Sequence, residues 1–93
     1  MSALNGIGKL YSLFKRTDID KEMKNKSAIC IGQLFRAKQL PDEMRSEITS
    51  HLKSLVNDSD EWTKNNSIGA LAYLAQNLVN NREIVKGRFK IPQ

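Results

Sequence analysis

Cysteine occurs once in these 93 residues, as do histidine and tryptophan, and proline occurs twice. A single cysteine forbids an internal disulfide, so packing has to hold the fold together. One cysteine and one histidine cannot close a zinc site, and neither an HExxH pattern nor a pair of CxxC spacings is present. No metal or other cofactor is expected. The longest uninterrupted small or apolar run, Ile68 to Ala75, is far short of the ~20 residues that span a bilayer. Residues 1–16 lack the unbroken apolar stretch and small-residue cleavage site of a secretory signal, so the Asn-x-Ser matches at Asn25, Asn57 and Asn65 carry no glycosylation meaning. A reducing compartment, the cytoplasm, is expected. No Gly-rich phosphate loop stands out: Gly6 and Gly8 follow no strand, and Gly32 and Gly69 fall inside helical patterns, where close packing accounts for them.

What the chain does have is a repeat. Asp18, Asp20, Lys24, Asn25 and Ser27 return forty positions later as Asp58, Asp60, Lys64, Asn65 and Ser67. The register continues, with Cys30, Ile31, Gly32 and Leu34 answered by Ala70, Leu71, Ala72 and Leu74. Self-similarity at this period marks stacked helical units, each burying its apolar face against the next.

Spacing places the helices. Leu4, Ile7, Leu10, Tyr11 and Phe14 follow the three-and-four pattern of an amphipathic helix ending near Arg16. Asp18 or Asp20 caps a second helix running to about Lys38, and Pro41 opens a third with Asp42 and Glu43 at its positive end. Met44, Ile48, Leu52, Leu55 and Val56 form the inward side of that third helix. Asp60 caps a fourth helix to about Val79, Asn80-Asn81 turns the chain, and a short fifth helix ends with help from Pro92. No stretch alternates with period two. The expected fold is all-α: about five helices in antiparallel hairpins, a short α-solenoid in a single domain, with a capping helix over residues 1–17, one repeat over 18–57, and a second over 58–93 whose last helix is truncated.

Asp20, Met23, Lys24, Ser27, Cys30, Ile31, Gly32 and Leu34, and again Asp60, Thr63, Lys64, Ser67, Ala70, Leu71, Ala72 and Leu74, make the chain resemble the HEAT-repeat family over residues 18 to about 80. Lys24 and Lys64 stand where that family carries Arg. The resemblance implies a two-layer stack whose second helices line a concave ligand-binding surface, and it implies no chemistry, because such stacks serve many functions.

Only two units are recognisable, fewer than the roughly three usually needed for a stable array. Either the end helices cap the stack or another chain completes it, so self-association is weighed evenly against capping. Phe89 and Ile91 could make such a contact or fold back on the core. Residues 1–16, amphipathic with three cations and no acid, also read as a mitochondrial targeting segment or a membrane-surface helix, although capping is favoured.

Catalysis finds little support. Cys30 and His51 fall on facing helices of one hairpin, but Cys30 occupies the small-residue position of helix packing, as Ala70 does, and His51 lies at the margin of an apolar face. The acids Asp18, Asp20, Glu22 and Asp58, Asp60, Glu61 gather at helix starts, where the dipole and unpaired amides favour them. No enzyme is expected.

The formal charge of +5 is carried by the ends: Lys9, Lys15 and Arg16 before the repeats, and Lys86, Arg88 and Lys90 after residue 83, with no acid in either segment. Two functional readings follow. The favoured one is a non-enzymatic scaffold or adaptor that binds another protein, or a second copy of itself. Its candidate contacts are Ser46, Thr49, Ser50 and Lys53, which a turn of about 100° per residue points outward from the third helix. Trp62, whose repeat partner is Glu22, is a candidate anchor, with packing between the stacked helices the favoured role for it. The alternative is a small nucleic-acid-binding protein whose six terminal cations contact phosphate.

Overall fold

Asp20 and Asp60 begin equivalent helices by the same device. The Asp20 carboxylate accepts the Met23 backbone N–H at 2.8 Å. The Asp60 carboxylate accepts both the backbone N–H and the hydroxyl of Thr63, at 2.9 and 2.8 Å. In the computed structural model, which describes residues 3–92 and side chains from Ile7 onward, these caps open α2 (Lys21–Leu34) and α4 (Glu61–Leu74). Met1, Ser2, Gln93 and the side chain of Leu4 lie outside the described residues. α1 spans Ala3–Lys15, α3 Asp42–Ser54 and α5 Leu78–Ile84, followed by a 3-10 turn over Lys86–Arg88. The described residues contain no strand, and the protein is all-α.

α2 packs on α1, α3 and α4, while α3 packs on α2, α4 and α5. The α2–α3 and α4–α5 hairpins therefore lie side by side, α2 against α4 in one layer and α3 against α5 in the other. α1 lies over α2 on the side nearest α3, held by the Tyr11 hydroxyl donating to the Glu43 carbonyl at 3.1 Å and by the Phe14 ring set edge-on to His51 at 5.1 Å. One core runs through all five helices, from Ile7 and Phe14 through Ile31, Ile48, Leu52 and Leu71 to Ile84. The inward side of α3 is as expected, with Met44, Ile48, Leu52, Leu55 and Val56 all buried.

Three helix boundaries differ from the sequence expectation, each for a local reason. α2 stops at Leu34 rather than near Lys38, because Ala37 turns to a φ of 60° and gives its N–H to the Tyr73 carbonyl of α4. α4 stops at Leu74 rather than near Val79. The Asn77 side chain accepts the N–H groups of Val79 and Asn80 and starts a new helix there, so Asn80 and Asn81 lie inside α5 and do not form the turn. α5 ends at Ile84, and the chain unwinds through Gly87 and Arg88, at φ 71° and 65°, well before Pro92.

The two units share Ser27/Ser67 and Ile31/Leu71 as buried equivalents. Both serine hydroxyls donate to a carbonyl of their own helix, Met23 and Lys64 respectively, so at these positions serine packs as a small residue with no polar demand left over.

Candidate interaction surfaces

The start of α2, the start of α4 and the loop before α4 together enclose an open groove of about 710 Å³ lined by Lys21, Asn25, Lys26, Asp58, Asp60 and Trp62, among others. Trp62 does not fill the gap between stacked helices, the role favoured for it from sequence. It is 50% exposed, with the Lys26 ammonium 5.7 Å from its ring centre. It borders the groove shared with the start of α2, and the neighbouring unit covers only part of it.

The acids around this groove are committed to structure. Asp60 is occupied by its two bonds from Thr63, and the backbone N–H followed by the hydroxyl holds its carboxyl below the usual carboxylate range. Asp58 accepts the Asp60 N–H at 2.9 Å, and Glu22 pairs with Lys26 at 3.1 Å. At the end of α1, the Arg16 guanidinium holds the Asp18 carboxyl low. Among the described residues, no three His, Cys, Asp or Glu side chains are grouped to hold a metal ion.

Cys30 is exposed, which corrects its expected place in the helix packing. Its repeat partner Ala70 is fully buried because α4 has α2 on that side, whereas α1 sits further round α2 towards α3 and leaves Cys30 uncovered. The same offset exposes Met23 and Leu34, at 46% and 55%, while their partners Thr63 and Leu74 are buried. His51 turns away from any thiol: its Nε2 lies 2.8 Å from the Asn25 carbonyl oxygen, which fixes Nε2 as the protonated nitrogen of the neutral ring.

Burial, and then the charges of Lys24 and Lys21, hold His51 protonation below the ordinary histidine range. The folded chain therefore takes up this proton at lower pH than the unfolded chain does, and the associated stability is lost as pH falls from about 6.5. The melting temperature is expected to drop between pH 7.5 and pH 5. H51Q keeps an amide N–H for Asn25 but cannot titrate, and should flatten that drop; an unchanged slope would assign the pH dependence elsewhere.

Of the four α3 residues expected to face outward, Ser46 and Ser50 are exposed and two are not. Thr49 is 1% exposed and its hydroxyl donates to the Arg45 carbonyl at 2.7 Å. Lys53 donates to the Ile84 carbonyl at 2.9 Å and lies over the Phe89 ring at 5.1 Å, closing the end of α5. α5 packs along α3 and widens its buried sector beyond what one apolar stripe indicates. Phe89 and Ile91 pack against the core.

The terminal cations are partly engaged as well. Lys15 pairs with Glu47 at 3.7 Å, Arg16 with Asp18, and Lys86 with Glu83 at 3.3 Å, while Lys9, Arg88 and Lys90 are exposed. No described helix is long and apolar enough to cross a membrane.

The fold and these surfaces define an all-α protein of stacked helical hairpins. No protein-family model, curated protein or solved structure matches the chain.

Proposed function

We propose that the chain is a non-enzymatic interaction module, built on two HEAT-like repeats, that holds another protein in the cytoplasm. The observation that carries this reading is Trp62. A half-exposed indole beside an open groove is the kind of anchor that dominates interface energy, and it holds no structural post inside the stack. Ser46 and Ser50 remain as exposed contacts on α3, whereas Thr49 and Lys53 serve the fold. The non-enzymatic part is supported by the commitment of the clustered acids to helix starts and by the separation of Cys30 from His51.

Affinity capture of the tagged chain from its own cells, set beside W62A, tests the proposal. The wild type is expected to retain a protein that W62A loses by at least about 30-fold in affinity, the effect of removing a hot spot. Because Trp62 is the only tryptophan, its fluorescence should shift to the blue when that protein is added. Retention of nucleic acid instead, falling steeply with salt and abolished by replacing Lys9, Lys15, Arg16, Lys86, Arg88 and Lys90, would overturn it in favour of phosphate binding.

A further inference from the structure

Met23, Ser27, Cys30 and Leu34 are spaced four, three and four residues apart, which lines them up along one side of α2. The corresponding residues of α4, Thr63, Ser67, Ala70 and Leu74, are all buried, and Ala70 faces Gly32 of α2. There the contact is close: a Cβ placed on Gly32 would lie 2.8 Å from the Ala70 Cβ. On α2 three of the four seam residues are uncovered, Met23 and Leu34 about half exposed and Cys30 exposed, while Ser27 between them is buried.

The other half of this contact is also displayed. α2 meets α4 at Gly32, which by spacing shares one side of α2 with Asn25 and Ile29, and forty residues on these become Asn65, Gly69 and Ala72 on α4. Asn65 and Ala72 are exposed, and a Cβ built on Gly69 would meet nothing within 4 Å. One interface thus occurs once inside the chain, and its two halves, built from equivalent positions, are each partly open, one on α2 beside α1 and the other on α4.

We infer that the occupant of the α2 seam is the α4 face of a second copy, so that copies stack head to tail as α4 stacks on α2. The inference rests on the reading of the chain as an interaction module and names a partner for it. The contact is looser than its internal template, because Ala72 brings a methyl where Gly32 has none and α1 of the incoming copy must be accommodated beside α5. α5 has 7 residues against 13 in α3, which leaves room along α4 in that layer. A contact made by one helix face from each copy is at the small end of interface sizes, so association is weak and reversible. Because the two faces differ, the assembly is open rather than closed by a two-fold axis, and its size grows with concentration.

Two surface substitutions separate the faces: L34D blocks the α2 seam and A72R the α4 face, both at exposed positions, with folding checked by helical circular dichroism and melting temperature. Sedimentation of the wild type over a range of concentrations is expected to show a ladder of species. Each variant alone should be monomeric, and an equal mixture should give a one-to-one dimer and nothing larger. In addition, A72C should form disulfides with Cys30 of the next copy under mild oxidation and run as a ladder on a non-reducing gel, where the wild type gives at most a dimer.

A wild type monomeric at every concentration, with no ladder from A72C, overturns the inference. So does a dimer abolished by L34D, untouched by A72R and not restored by mixing, which would place a two-fold contact at α2. Either failure alongside Trp62-dependent capture of a foreign protein leaves the interaction module standing; loss of both removes it.

Discussion

Replacing Asn80 with alanine is expected to be the most damaging single change to this fold, costing about 3–5 kcal/mol. Asn80 is fully buried on α5 and reaches across to the loop between α2 and α3, where its carbonyl oxygen accepts the Leu40 N–H at 2.9 Å and its amide donates to the Lys38 carbonyl at 2.6 Å. Alanine removes both bonds at once and leaves the buried Leu40 N–H and the part-buried Lys38 carbonyl without their partners, each worth roughly 1–3 kcal/mol. A domain of this size has about 5–15 kcal/mol in total, so N80A should melt ~15–30 °C lower. N80D separates the two bonds. It keeps an acceptor for Leu40 but sets a carboxylate oxygen against the Lys38 carbonyl, so burial and that repulsion raise the new group's pKa. Its stability is then highest when the acid is protonated and able to donate, and is lost as pH rises. The deficit of N80D relative to wild type should be smaller at pH 4 than at pH 7, as read from denaturant midpoints. A melting temperature for N80A within a few degrees of wild type would mean that the loop and α5 are held by packing alone.

Asn80 also shows where a sequence stops being informative. Its neighbour Asn81 and the helical patterns on either side make the pair read as a turn, because turn chemistry is local and the groups that Asn80 satisfies lie about forty residues away. The features that could be read were local ones. Asp20 and Asp60 cap because the amides they bond are three residues ahead, and the inward side of α3 follows from spacing alone. Features that depend on neighbours could not be read. Thr49 looked outward until α5 closed over that side of α3, and Lys53 is drawn to carbonyls at the end of a helix whose boundary the sequence leaves open. Cys30 was expected to be buried by analogy with Ala70, and that analogy assumes that equivalent residues have equivalent neighbours. The offset of α1 towards α3 breaks the assumption, and the same offset leaves Met23, Cys30 and Leu34 exposed.

Gly32 is the position at which the two units come closest, and G32A is expected to destabilise the fold by about 2 kcal/mol even though alanine is the better helix former by ~1 kcal/mol. The added Cβ would lie 2.8 Å from the Ala70 Cβ and 3.5 Å from its Cα, with Leu52 Cδ1 at 3.4 Å. Leu52 can move by a rotamer adjustment; the methyl and backbone of Ala70 cannot, so α2 and α4 have to separate along the contact that joins the units. The remedy follows from the geometry. A70G alone should cost its helix preference and a small void, but in the G32A background it removes the atom that collides. The double variant moves one methyl across the interface, and its two helix-propensity changes, about +1 and −1 kcal/mol, cancel. It should therefore fall within ~1 kcal/mol of wild type, giving a favourable coupling of roughly 2 kcal/mol or more between the sites in a double-mutant cycle. Additive losses at the two positions would show that α2 and α4 are not pressed together there, and the internal interface would then be no template for contact between copies.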